Sequence, residues 1–80
     1  MLVPNQCRAA RAWLAWSQED LAKLAGVSLS TLRDFEGGKR TPSKNNLKAI
    51  QSALESEGVA FIFTDKDKAS GISVAVPNRS

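Results

Sequence analysis

Cys7, Ala10, Arg11 and Leu14 recur at three- and four-residue spacing, which predicts a helix with one inner face from Pro4 to Leu14. Pro4 suits the first helical position, where its missing N–H is no loss. Val3 is then a poor cap, and Asn5 offers a shifted start. A second helix starts after Ser17, which has Asp20 three residues on as the return partner of a capping box. Trp16 and Leu21 flank that start as a hydrophobic staple, and Leu21, Ala22 and Ala25 form the apolar face. Gly26 closes the helix as a left-handed cap. Ser28 opens a third helix almost at once, with Val27 and Leu32 as its staple. Leu32 and Phe35 face inward, Leu29, Ser30, Arg33 and Asp34 point away, and Gly37-Gly38 stops it.

Two helices separated by so few residues cannot pack antiparallel. They cross steeply, as in a helix-turn-helix, here spanning Ser17 to Gly38. Beyond the basic loop Lys39-Arg40-Thr41-Pro42-Ser43-Lys44, Thr41 or Ser43 caps a fourth helix to about Glu57, with Leu47, Ile50 and Leu54 inside and Gly58 ending it. The period then changes. Val59–Phe63 is a short apolar run, and Ile72, Val74 and Val76 alternate with Ser73 and Ala75. These are two strands of a β-hairpin, joined by the polar stretch Thr64–Gly71 with its Asp65 and Asp67, and Pro77 ends the second. Phe61 and Phe63 share one face, while Ile72, Val74 and Val76 share another. The pattern reads as mostly α: a bundle of four helices over residues 1–58, then a C-terminal hairpin over 59–80 within the same domain.

Arg8-Ala9-Ala10-Arg11, Trp16 to Ala22, Ala25-Gly26-Val27-Ser28 and Phe35 to Pro42 together resemble the Xre/Cro family of phage and bacterial regulators. The resemblance spans roughly residues 4–57 and implies the lambda repressor-like fold; the hairpin lies outside it, where the family commonly has a fifth helix. It also implies roles. The second helix of the motif would lie in the major groove, with Ser28, Leu29, Ser30, Thr31 and Arg33 at base edges. Arg33 alone among these can make a bidentate contact to guanine, and Leu29 suits a thymine methyl group. Gln18 resembles the family's phosphate-anchoring glutamine at a helix N-terminus. Lys39, Arg40, Thr41, Ser43 and Lys44 would hold the flanking phosphates. Arg11 would form a structural ion pair with Glu36 in preference to a phosphate contact.

Composition sharpens this reading by exclusion. There is no His and a single Cys, so the usual nucleophile–base pairs and zinc sites are not available. The expectation is a non-enzymatic protein without metal or cofactor. The net charge of +3 is unevenly spread: eight Lys/Arg face four Asp/Glu over residues 1–48, against three and four beyond. The basic part is the motif-bearing part, as a polyanion partner requires. No apolar run approaches a membrane span, and the expected location is the cytoplasm of a bacterial or phage-infected cell.

Several residues carry plainer readings. Arg8 and Lys48 read as solvated surface charges, Cys7 as a small buried hydrophobe, and Trp13 and Trp16 as core or staple side chains. Two strands alone are marginal, so the hairpin either folds back on helices one and four or pairs edge to edge with a second copy as a homodimer. The expected function is that of a sequence-specific double-stranded DNA-binding regulator, a repressor acting as a homodimer. The alternatives are an antitoxin that represses its own operon while holding a toxin, and a protein-interaction adaptor.

Overall fold

The computed structural model describes residues 1–63 and, as backbone, 69–74. Four helices, α1 (Pro4–Leu14), α2 (Gln18–Ala25), α3 (Leu29–Glu36) and α4 (Lys44–Glu55), precede two strands, β1 (Val59–Phe63) and β2 (Ala69–Val74). No described helix is long and apolar enough to cross a membrane.

Each helix boundary has a local cause. Helix α1 keeps its start at Pro4 because Gln6 Oε1 accepts the N–H of the extended Val3 at 3.2 Å. The return partner missing at Val3 is thus supplied by Gln6, and the start does not shift to Asn5. Ser17 Oγ accepts from the Asp20 N–H at 3.0 Å, and Asp20 Oδ2 accepts from the Ser17 N–H at 2.9 Å. This reciprocal pair satisfies two donors that a helix start leaves orphaned. Gly26 adopts φ +72, which lets the Val27 N–H fold back to the Ala22 carbonyl at 3.0 Å. That reversal, and the short Val27-Ser28 link, set the crossing of α2 and α3. Ser43, rather than Thr41, caps α4 through the Asn46 N–H. Helix α4 stops at Glu55, two residues short of the expected end, and Gly58 at φ +95 turns the chain into β1.

Leu21, Leu32, Ile50, Leu54 and Cys7 are fully buried at the centre, with Ala10, Ala22, Phe35 and Leu47 around them. Helix α2 packs on α3 and α4, and α1 packs on α3 and β2. Trp16 packs against this core, but Trp13 is 56% exposed. The helical repeat explains the difference from expectation: Cys7, Ala10 and Leu14 define the inner stripe, and Trp13 lies about 100° away from Leu14 around the axis.

The hairpin folds back on the helices: Val59 is buried, Phe61 packs on the core, and Gln6 Nε2 donates to the Ile62 carbonyl at 3.3 Å. Its strands are antiparallel, with Val59 opposite Val74 and Phe61 opposite Ile72. The second strand also starts earlier than its composition suggests. Ala69–Gly71 are small residues that read as loop, yet pairing opposite Phe63 and Ile62, with an irregularity between those two, draws them into the ladder. Asp65, Asp67, Val76 and Pro77 lie outside the described residues.

Candidate nucleic-acid interface

Helix α3 is anchored on one side and open on the other. Leu32, Phe35 and Glu36 are buried, whereas Ser28, Ser30 and Arg33 are exposed and Leu29, Thr31 and Asp34 half-buried. Ser28 Oγ caps the helix by accepting the Thr31 N–H at 3.1 Å. Its own hydroxyl donates to Thr31 Oγ1 at 2.7 Å, and Ser30 Oγ lies 3.2 Å away. The five residues assigned to base edges therefore stand on one short helix, with three of their side chains joined in a hydroxyl cluster. Among the described residues the Arg33 side chain has no hydrogen-bond or ion-pair partner, and its backbone carbonyl accepts the Gly37 N–H, so the guanidinium fork is free to bind elsewhere.

The basic loop is fixed to this helix by backbone bonds. The Lys39 and Arg40 N–H groups both donate to the Asp34 carbonyl, at 2.9 and 3.3 Å, and Gly38 reaches φ +74 to make that fold possible. Lys39, Arg40, Thr41, Ser43 and Lys44 are all exposed. Ser43 also holds the start of α4, so any phosphate bond from its hydroxyl is added to a capping role. The result is a cationic strip that follows directly from the open face of α3. Such a strip supplies affinity for a polyanion without base information.

Behind the open face one carboxylate ties three helices together. Glu36 is 3% exposed. It accepts from Arg11 Nε at 3.0 Å and Nη2 at 2.9 Å, from Gln18 Nε2 at 3.0 Å and from Cys7 Sγ at 3.1 Å. Arg11 Nη1 also reaches the Trp16 carbonyl at 3.0 Å, fixing the link between α1 and α2. Burial alone would push the Glu36 carboxyl up, but the bonds from Arg11, Gln18 and Cys7 and the Arg11 charge outweigh it and hold the carboxyl below its usual value of 4.5. The Arg11 guanidinium is held more firmly protonated, chiefly by its bond to Glu36. The Cys7 thiol is pushed well up, by burial first and by its bond to Glu36 second, so it stays a neutral donor. No buried side-chain nitrogen or oxygen among the described residues lacks a partner.

Two placements differ from the plain reading of the sequence. Arg8 is not simply a solvated charge: its guanidinium bridges the Glu36 backbone carbonyl and Asn5 Oδ1, clamping the end of α3 to the start of α1. Gln18 has one amide hydrogen committed to Glu36, so a phosphate bond from this side chain would use the remaining one. Cys7 was missed as a partner of Glu36, although a signal existed. It stands four residues before Arg11, one turn away on the same helical face.

A profile of the helix-turn-helix family matches residues 8–59. Among solved structures, the restriction-modification controller protein C.AhdI from Aeromonas hydrophila is similar: it is 33% identical, with a TM-score of 0.62, over 65% of this chain and 79% of that one. No curated protein matches the chain significantly. The matched stretch contains α2, the Gly26 turn, α3, the basic loop and the Arg11–Glu36 pair, so the likeness covers the candidate interface. The chain belongs to the Xre/Cro-like helix-turn-helix family of DNA-binding transcriptional regulators.

Proposed function

We propose that this chain is a sequence-specific repressor that binds double-stranded DNA as a homodimer, with α3 in the major groove. The observation that carries this reading is the two-sided character of α3. One side is locked by Leu32, Phe35 and Glu36, and the other offers Ser30 and an unengaged Arg33 beside the basic strip. A rigidly held helix with free polar groups can discriminate base edges, because little ordering remains to be done on binding. Ser28, Leu29, Ser30, Thr31 and Arg33 meet base edges, and Gln18, Lys39, Arg40, Thr41, Ser43 and Lys44 meet phosphates. Repression follows from occupancy, since a protein seated in the groove denies that DNA to others. The similarity to a restriction-modification controller supports gene control as the role.

Arg33→Ala is expected to lower affinity for the preferred site by about 1–3 kcal/mol and to relax the base preference at one position. Lys39→Ala should weaken binding to all sequences alike and reduce the salt slope by about one. Salt-titrated binding of both variants to preferred and scrambled duplexes separates the two effects. Equal loss on both duplexes from Arg33→Ala would remove α3 from the groove.

An eight-residue α3 reaches few base pairs, so a second copy supplies the rest of the affinity. The two-stranded sheet offers an edge for such pairing, and Ile62 lies exposed on it. Sedimentation of the full chain over the concentration range of DNA binding should return the dimer mass. A monomer mass on DNA and off it would reject the homodimer.

A further inference from the structure

A hydroxyl group ordinarily both donates and accepts, so a serine at a base edge is uninformative about which base it reads. The cluster at the start of α3 removes that ambiguity. Ser28 Oγ has one hydrogen and two lone pairs. The hydrogen goes to Thr31 Oγ1 at 2.7 Å, and one lone pair accepts the Thr31 N–H at 3.1 Å. Only the second lone pair is left for Ser30 Oγ at 3.2 Å, so Ser30 is the donor in that contact. Donation runs from Ser30 to Ser28 to Thr31. Ser30 therefore turns only lone pairs outward, and the Thr31 hydrogen, without an acceptor among the described residues, is the donor of the cluster. Asp34 stands one turn beyond Ser30 on the same face, and its carboxylate can only accept. Two neighbouring acceptors disfavour a base carbonyl or ring nitrogen and match an amino group.

We propose that Ser30 is a specificity-determining acceptor that reads the exocyclic amine of adenine or cytosine in the major groove. Its polarity is set by Ser28, which makes Ser28 a positioning residue as well as a cap. This rests on α3 being the groove helix. Thr31, with the opposite polarity, is suited to a phosphate oxygen or a base acceptor.

The test uses the full chain and a duplex it selects from random sequence. Ser30→Ala identifies the base pair whose preference depends on Ser30. At that pair the amine is deleted, by purine in place of adenine or pyrimidin-2-one in place of cytosine, and separately the purine N7 acceptor is deleted by a 7-deaza base. Amine deletion should cost the parent chain about ten-fold in affinity and the Ser30→Ala chain nothing. N7 deletion should cost both chains equally. Ser28→Gly keeps a tolerated cap but frees the Ser30 hydrogen, so its binding should depend less on the amine. Equal cost of amine deletion in parent and Ser30→Ala chains, a Ser30→Ala change that shifts no pair, or dependence of Ser30 on N7 would each overturn the assignment alone. Failure of the parent chain to select any duplex would overturn the groove reading together with it.

Discussion

Glu36→Gln is expected to destabilise the protein by about 3 kcal/mol, a large share of the roughly 4–12 kcal/mol that a domain of this size holds. The carboxylate is 3% exposed and receives four hydrogen bonds, two of them from Arg11. An amide keeps the shape but offers one acceptor oxygen in place of two, and no charge. Arg11, whose side chain is 21% exposed, is left partly buried without its counter-ion. Gln18 and Cys7 compete for what acceptor remains. A melting temperature lower by roughly 10–20 °C should follow. Acid titration gives an independent readout. The Glu36 carboxyl is held below 4.5 in the folded chain, so it binds protons less readily there than in the unfolded chain. Its stabilising contribution is therefore complete above about pH 4.5 and is lost as pH falls through the folded value. Urea unfolding of the parent should weaken in that window, and Glu36→Gln should show a shallower acid limb. A variant with parental stability and the parental acid limb would contradict the role of the Glu36 carboxylate in tying the three helices together.

Leu32→Ala should cost about 3–4 kcal/mol. Leu32 is fully buried and comes from the helix proposed to enter the groove, so the cavity opens directly beneath α3. The loss has two parts, the transfer energy of the deleted carbons and the contacts that its neighbours no longer make. Leu24→Ala is the matched control. That side chain is 62% exposed on α2 and its loss should stay within about 0.5 kcal/mol. Denaturant midpoints of the two variants check the contrast. DNA binding by Leu32→Ala should recover on cooling or with added duplex, because ligand binding draws the population back to the folded state. Comparable midpoints for the two variants would mean that α3 is not seated as described.

Much of this was legible in the chain because the fold is built from local signals. Ser17, Ser28 and Ser43 each sit one residue before a helix and each accept from a backbone N–H three residues on. Gly26 stands where the backbone takes a left-handed turn. Leu32 and Phe35 on α3, and Leu47, Ile50 and Leu54 on α4, fall at helical spacing and are buried. What escaped the sequence was tertiary. Trp13 is large and apolar, yet the helical repeat turns it outward. Arg8 and Cys7 gain their partners from α3, nearly thirty residues away; only the place of Cys7 one turn before Arg11 on the same face pointed to its pairing, and nothing local pointed to that of Arg8. The start of β2 was hidden for the same reason: Ala69–Gly71 enter the ladder because of what lies opposite. The polarity of the Ser28, Ser30 and Thr31 hydroxyls needed distances, since the residue types alone allow either direction.

Whether α3 reads base sequence in duplex DNA is decided by selection from a random duplex pool with the full chain. Parent protein should enrich one motif, bind it with an affinity that falls steeply with salt, and lose the preference at one position in the Arg33→Ala variant. Enrichment of no motif, with binding that ignores salt, would contradict base reading by α3.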